Sequence, residues 1–143
     1  MRASLTVRVG GGAMCELEGL VETFAAEHRL AADDKARALI VLEELLTNLS
    51  KYGYPSQSER KGIAEVALEL ESTRLTIDFS DDGQAFDPFA NTVPDFDQSA
   101  ESRPIGGLGL HMVRALSDEA TYSRRDGRNF VRLSWRVSQH RTR

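Results

Sequence analysis

The sequence predicts an α+β two-layer sandwich, in which three amphipathic helices cover one face of a mostly antiparallel (mixed) sheet. Three observations lead there. Two pairs of alternating segments read as β-hairpins, which imply antiparallel pairing. Three stretches carry apolar residues at helical spacing and need a common surface on which to bury them. Strands and helices do not alternate singly, which disfavours a doubly wound parallel sheet. A chain of 143 residues is long enough for one sizeable core. The expectation is therefore a single domain over 1–143 with a flexible C-terminal tail from about 138.

In chain order, Ser4–Val9 alternates as a half-buried strand, and Gly10-Gly11-Gly12 ends it. From Ala13 to His28, the positions Leu17, Leu20, Val21 and Phe24 form a helical stripe with His28 at its polar edge. Cys15, between Met14 and Leu17 on this pattern, reads as a packed thiol. Asp33 is placed to cap the next helix. That helix, roughly 34–52, has its main stripe on Ala38, Leu42, Leu45, Leu46 and Leu49 and stops at Gly53 and Pro55. At 100° per residue, Glu44 and Asn48 point away from the stripe, beside Ile40, Val41 and Lys51, and are expected to face outward.

Tyr54–Gly62 is a polar loop. Ile63–Glu71 and Leu75–Ser80 are strands joined at Ser72–Arg74, and Asp81-Asp82-Gly83 follows at once. From about Pro88 to Pro104 there are three prolines and no periodicity, the pattern of a functional loop such as a lid. Gly106-Gly107-Leu108-Gly109 then opens a helix reaching about Ser117, with Leu108, Met112, Val113 and Leu116 inward. Ala120–Arg125 and Asn129–Val137 form a hairpin around Asp126-Gly127, with Phe130 and Trp135 expected in the core.

A net charge of −4 and a pI near 5.4 give no electrostatic case for direct nucleic acid binding. The arginines at 124, 125 and 128 and in the tail read as solvated. One cysteine allows no intrachain disulfide and fits a reducing compartment. The longest apolar run, Ala38–Leu42, is far short of the about 20 residues that a membrane span needs. A soluble, cytoplasmic protein without a membrane partner is expected.

Three stretches suggest chemistry. Glu44 and Asn48 are four residues apart and so share one side of a helix, where a carboxylate and a carboxamide can hold a divalent cation or orient a hydroxyl and a phosphate. Asp81 at a strand end, two residues before Gly83, can accept a hydrogen bond from an exocyclic amine such as that of adenine. Gly106, Gly107 and Gly109, at the start of a helix, let backbone N–H groups converge on phosphate. No strand directly precedes these glycines, so they are not a dinucleotide fingerprint, and no Gly-Lys-Ser/Thr follows, so they are not a Walker loop.

In this order, Glu44-x-x-x-Asn48, Asp81-x-Gly83 and Gly106-x-x-Gly109 resemble the N, G1 and G2 boxes of the GHKL ATPase superfamily, which includes gyrase, MutL and histidine kinases. The resemblance spans nearly the whole chain, and Ala85-Phe86-Asp87-Pro88 makes it most similar to the bacterial anti-sigma-factor serine/threonine kinases. It implies a Bergerat-type ATP-binding fold with ATP and Mg²⁺ as cofactors. Asn48 would hold Mg²⁺, Glu44 would be the general base toward a serine or threonine hydroxyl, and Asp81 would read the adenine amine. Gly83 would let the ring approach, and Gly106, Gly107 and Gly109 would cradle phosphates and free the lid. Ala85 departs from the family by standing where many members have a second glycine. Glu43 is an alternative base, pointing about 100° away.

The implied function is a Mg-ATP-dependent serine/threonine protein kinase that acts as an anti-sigma regulatory factor. Its substrate would be a small STAS-type antagonist, its other partner a sigma factor, and it would form a homodimer. Two other readings stay open: an ATP-binding partner-switching module without phosphoryl transfer, and a detached histidine-kinase-like catalytic subunit.

Overall fold

The structure is a computed structural model and describes residues 1–55, 62–90 and 113–138. Its elements are β1 (Arg2–Arg8), α1 (Ala13–His28), α2 (Ala32–Tyr52), β2 (Ile63–Glu71), β3 (Arg74–Asp81), β4 (Glu119–Arg125) and β5 (Arg128–Arg136). The five strands form one sheet in the order β1-β2-β3-β5-β4, with every described ladder antiparallel. The helices cover one face. The sandwich expected from the sequence is what forms.

Register explains how the sheet works. On the helix-facing side, residues line up in rows across the strands. One row runs Leu70, Leu75, Trp135, and the next Leu68, Ile77, Leu133, Ala120. A third runs Val66, Phe79, Val131, Tyr122. Against these rows pack Leu17, Val21 and Phe24 of α1 and Ala38, Val41, Leu42, Leu45 and Leu49 of α2, all buried in one core. His28 closes the α1 stripe as expected, its ring edge-on to Phe24 at 4.4 Å. Residues 113–115 are helical and Val113 is fully buried, where the third helix is expected. Leu108 and Met112 of its inward stripe, most of the 88–104 loop and the tail from 139 lie outside the described residues.

The second hairpin turns as its sequence requires. Asp126 and Gly127 have φ of 51° and 75°, the left-handed pair of a type I′ turn. Outward residues of the sheet carry paired charge: Arg132 bonds both oxygens of Asp78, Arg2 bonds Glu69, and Arg128 lies 3.7 Å from Glu65.

Three expectations are corrected here. Phe130 is not in the core: five residues from Trp135 along a strand, it has the opposite parity and sits on the open face under the Arg125 guanidinium, 4.2 Å from its ring centre. Cys15 is exposed rather than packed, because it lies about 200° from Leu17 on α1. Asp33 does not cap α2. The helix starts at Ala32 behind Ala31, with no side-chain cap.

Asp34, its neighbour, has the larger task. It is 1% exposed and accepts the Trp135 indole N–H at 3.0 Å and the Ser138 backbone N–H at 2.8 Å. One carboxylate thereby ties the start of α2 to the end of β5. Asp34→Ala leaves a buried indole donor unsatisfied and is expected to cost about 1–3 kcal/mol, whereas Asp33→Ala, at an exposed site in the first turn, should cost less than about 1 kcal/mol. Urea denaturation of both variants checks the contrast.

Candidate functional site

The fourth row of the helix-facing side is different in kind. It runs Ala64, Asp81, Asn129, Arg124, so the apolar sheet turns polar at one end. Asp81 is the last residue of β3 and only 5% exposed. Its Oδ1 accepts the Gly83 backbone N–H at 2.9 Å and Asn129 Nδ2–H at 2.9 Å. Its Oδ2 has no hydrogen bond from any described residue. Burial pushes the Asp81 carboxyl above its ordinary range, the bonds from Asn129 and Gly83 pull it back, Asp82 raises it and Arg124 lowers it.

The neighbouring carboxylate has a structural role. Asp82 Oδ1 accepts the Tyr54 hydroxyl at 2.6 Å and the Ile63 N–H at 3.2 Å, which pins the start of β2 to the end of α2. The two adjacent acids thus divide: Asp82 holds the frame and Asp81 faces a cavity.

The loop after β3 is clamped to the end of α2. Gln84 N–H donates to the Gly53 carbonyl at 2.7 Å, and Phe86 stacks on Tyr52 with ring centres 5.8 Å apart. Gly83 is needed for this closeness. A Cβ there would lie 2.9 Å from Leu49 Cδ1 and 3.0 Å from the Gly53 carbonyl oxygen. This clamp brings together α2 residues and the Asp81 segment, far apart in sequence.

Between them lies a cavity of about 30 Å³ lined by Leu45, Asn48, Leu49, Phe79, Asp81 and Phe86, among others. That volume suits about one water, with the Asp81 carboxylate at its wall. A larger depression, about 540 Å³, lies on the open face of the sheet. Its charged side chains include the ion-paired Arg2, Glu65, Asp78 and Arg132, and none of its acids is buried, so the smaller cavity is the candidate site.

The expectation that Glu44 and Asn48 both face outward is corrected in part. Asn48 is 3% exposed, because the sheet end and the loop after β3 cover that side of α2, and Val41 is fully buried in the core. Ile40 remains exposed and Glu44 half-buried. Asn48 Nδ2 donates to the Glu44 backbone carbonyl at 2.7 Å. Since a carbonyl only accepts, this bond fixes the carboxamide and leaves Oδ1 as a buried acceptor without a described partner.

A hard divalent cation such as Mg²⁺ prefers oxygen and is commonly held by one or two protein groups plus phosphate. Asn48 Oδ1 fits that. Among the described residues no cluster of three or more His, Cys, Asp or Glu offers an alternative cage. The Glu44 carboxyl is raised above its ordinary range, by burial first and by the charge of Glu43 second, with Lys51 opposing. It makes no hydrogen bond or ion pair with a described residue. Gly106, Gly107 and Gly109 lie outside the described residues.

One further residue, Asn129, is part of the site and was not singled out in the sequence. Its signal was present: it occupies an inward position in the alternation Asn129, Val131, Leu133, Trp135, where an apolar residue is the default.

A buried acid beside a cavity, a helix presenting an amide oxygen, and an antiparallel sheet under a helical layer define an α+β sandwich with a polar site at one end. Comparison with known proteins gives the family. Residues 14–135 match the Histidine kinase-like ATPase domain, and the chain belongs to that family, within the GHKL group. It is a homologue of the serine-protein kinase RsbW of Staphylococcus aureus strains JH9 and Newman, 31% identical to each over 100 residues. These alignments cover 66% of this chain and 62% of the relatives, so the chain spans a little under two thirds of their length. In fold it resembles a Mycobacterium tuberculosis crystal structure of RsbU and RsbW domains, with a TM-score of 0.67 and 18% identity over 98% of this chain and 33% of that one. No described helix is long and apolar enough to cross a membrane.

The raised Asp81 carboxyl binds its proton more tightly folded than unfolded. Its contribution to stability is full below the ordinary value of 3.8 and is lost as pH rises through the raised folded value. Asp81→Asn keeps an acceptor oxygen and cannot ionise. It is expected to be at least as stable as wild type at pH 7, with the difference shrinking on acidification. Urea midpoints measured across pH check this.

Proposed function

We propose that this chain is a Mg-ATP-dependent serine/threonine protein kinase of the anti-sigma type, phosphorylating a small STAS-domain antagonist. The observation that carries the reading is the pairing, across one cavity, of a buried Asp81 carboxylate with a free oxygen and a buried Asn48 amide with a free oxygen. The first suits the exocyclic amine of adenine and the second a phosphate-bound cation. The names of the RsbW relatives, serine-protein kinases, support hydroxyl transfer over transfer to histidine.

In this reading Asp81 Oδ2 accepts the adenine amine while Oδ1 stays engaged with Gly83 and Asn129. Gly83 lets the loop sit close enough to α2 for base and phosphates to share one site, and Gly106, Gly107 and Gly109 receive the phosphates. Asn48 Oδ1 would hold Mg²⁺, which when bound would supply positive charge to neutralise the phosphates. Glu44, one turn before Asn48, takes the proton of the attacking serine or threonine hydroxyl. Burial raises its basicity, which suits a general base. The protein works in the cytoplasm as a homodimer, and a sigma factor is its other partner.

Incubation with Mg-ATP and STAS proteins is expected to add one phosphate to a partner serine or threonine, seen by intact mass and stable in acid. An acid-labile phosphate would instead mean a histidine acceptor. Glu44→Gln is expected to bind ATP normally and to slow transfer by about 10²–10⁴-fold. The wild-type rate should rise with pH across a window displaced above 4.5, as Glu44 ionises. Asp81→Asn is expected to weaken ATP more than pyrophosphate in calorimetry; equal losses would remove the adenine contact.

A further inference from the structure

Asn129 has more polar partners than any other described side chain at the site. Its Nδ2 donates to Asp81 Oδ1 at 2.9 Å, to the Gln84 carbonyl at 2.8 Å and, more weakly, to the Gly83 carbonyl at 3.5 Å. Its Oδ1 accepts the Tyr122 hydroxyl at 2.6 Å, Arg124 Nη1–H at 3.1 Å and the Phe86 N–H at 3.4 Å. Arg124 Nη1 also donates to the Gly83 carbonyl at 2.7 Å.

The chemistry fixes the amide's orientation. Arginine and the backbone N–H only donate, and carbonyls only accept, so a flipped carboxamide would face donors with donors and acceptors with acceptors. At 3% exposed, such a group is costly to leave unsatisfied. It therefore holds its partners rather than following them. It ties three segments, the end of β3, the loop 83–86 and the β4–β5 hairpin, through a single side chain.

We propose that Asn129 is a positioning residue for nucleotide recognition: by engaging Oδ1 of Asp81 and the carbonyls of the following loop, it leaves Oδ2 as the oxygen of that carboxylate that no described residue engages, open to the base. The proposal rests on the adenine-binding reading of the cavity. It goes beyond the Asp81 contact by assigning the orientation and ionisation of that carboxylate to a residue 48 positions away.

Among the described residues the charges around Asp81 are few. Asp82 approaches from the same loop, Arg124 and the Tyr122 hydroxyl from β4, and Leu45, Asn48 and Leu49 of α2 bring none. Removing the Asn129 donor should let burial raise the Asp81 carboxyl further, so that it holds its proton to higher pH and Oδ2 is less available to the base.

The test uses the full chain with Asn129→Leu, of similar size without polar atoms, and Asn129→Ser, whose hydroxyl still donates. The Asp81 carboxyl is titrated by carbon NMR in the free protein, and ATP and pyrophosphate binding are measured by calorimetry against pH. Asn129→Leu should move the Asp81 titration upward and weaken ATP about tenfold at pH 7, with pyrophosphate unchanged and serine restoring part of both. An unmoved titration in folded Asn129→Leu, or equal losses of ATP and pyrophosphate, overturns the proposal. If leucine prevents folding, a wild-type titration and ATP affinity in Asn129→Ser support it, on condition that Asn129→Ala, without the hydroxyl, moves both. Wild-type protein that takes up no ATP overturns the adenine reading and this proposal with it, while the free-protein titration still decides whether Asn129 governs Asp81.

Discussion

The hydrogen bond between Asn129 and Asp81 is possible because these two residues face each other across the β3–β5 ladder. Register is therefore the constraint on which the site depends. A slip of one residue would turn every side chain of a strand to the other face, and three apolar rows prevent it: Leu75 with Trp135, Ile77 with Leu133, and Phe79 with Val131. The packing that stabilises the sandwich also aligns its polar end. The acid is buried at the margin of an apolar core, which is why its proton affinity rises.

The second determinant is the seam between α2 and the loop after β3. Gly83 has no side chain to keep the loop off Leu49 and the Gly53 carbonyl, Gln84 bonds that carbonyl, and Tyr52 and Phe86 stack above. Asp82 adds a tie through Tyr54 and Ile63. These contacts bring Asn48 and Asp81 into the lining of one cavity, so the seam joins the end of a helix to the end of a strand.

Much of this architecture was legible in the chain. Period-two alternation located β3 and β5, the 3.6-residue stripe located α1 with its bounds, and Asp126-Gly127 announced its hairpin. The misplacements have distinct physical causes. Phe130 and Cys15 were out of phase with their own elements, so periodicity already held the correct answer. Asn48 could not be placed by a helical wheel, which describes the helix's own faces and not the loop that later covers one of them. Asp34 was hidden for a related reason: its partners Trp135 and Ser138 lie more than 100 residues away. Local capping chemistry favoured Asp33 instead. Asn129 stood out in pattern, but its role requires knowing which strand lies beside β5.

The tether at Asp34 has a practical corollary. Ser138 is anchored beside the Trp135 row, six residues of β3 away from the Asp81 row, or about 20 Å at the rise of an extended strand. A fluorophore or affinity handle attached just beyond that anchor would therefore start its path remote from the Asp81 cavity, giving experimenters a convenient place to report on events there without obstructing them.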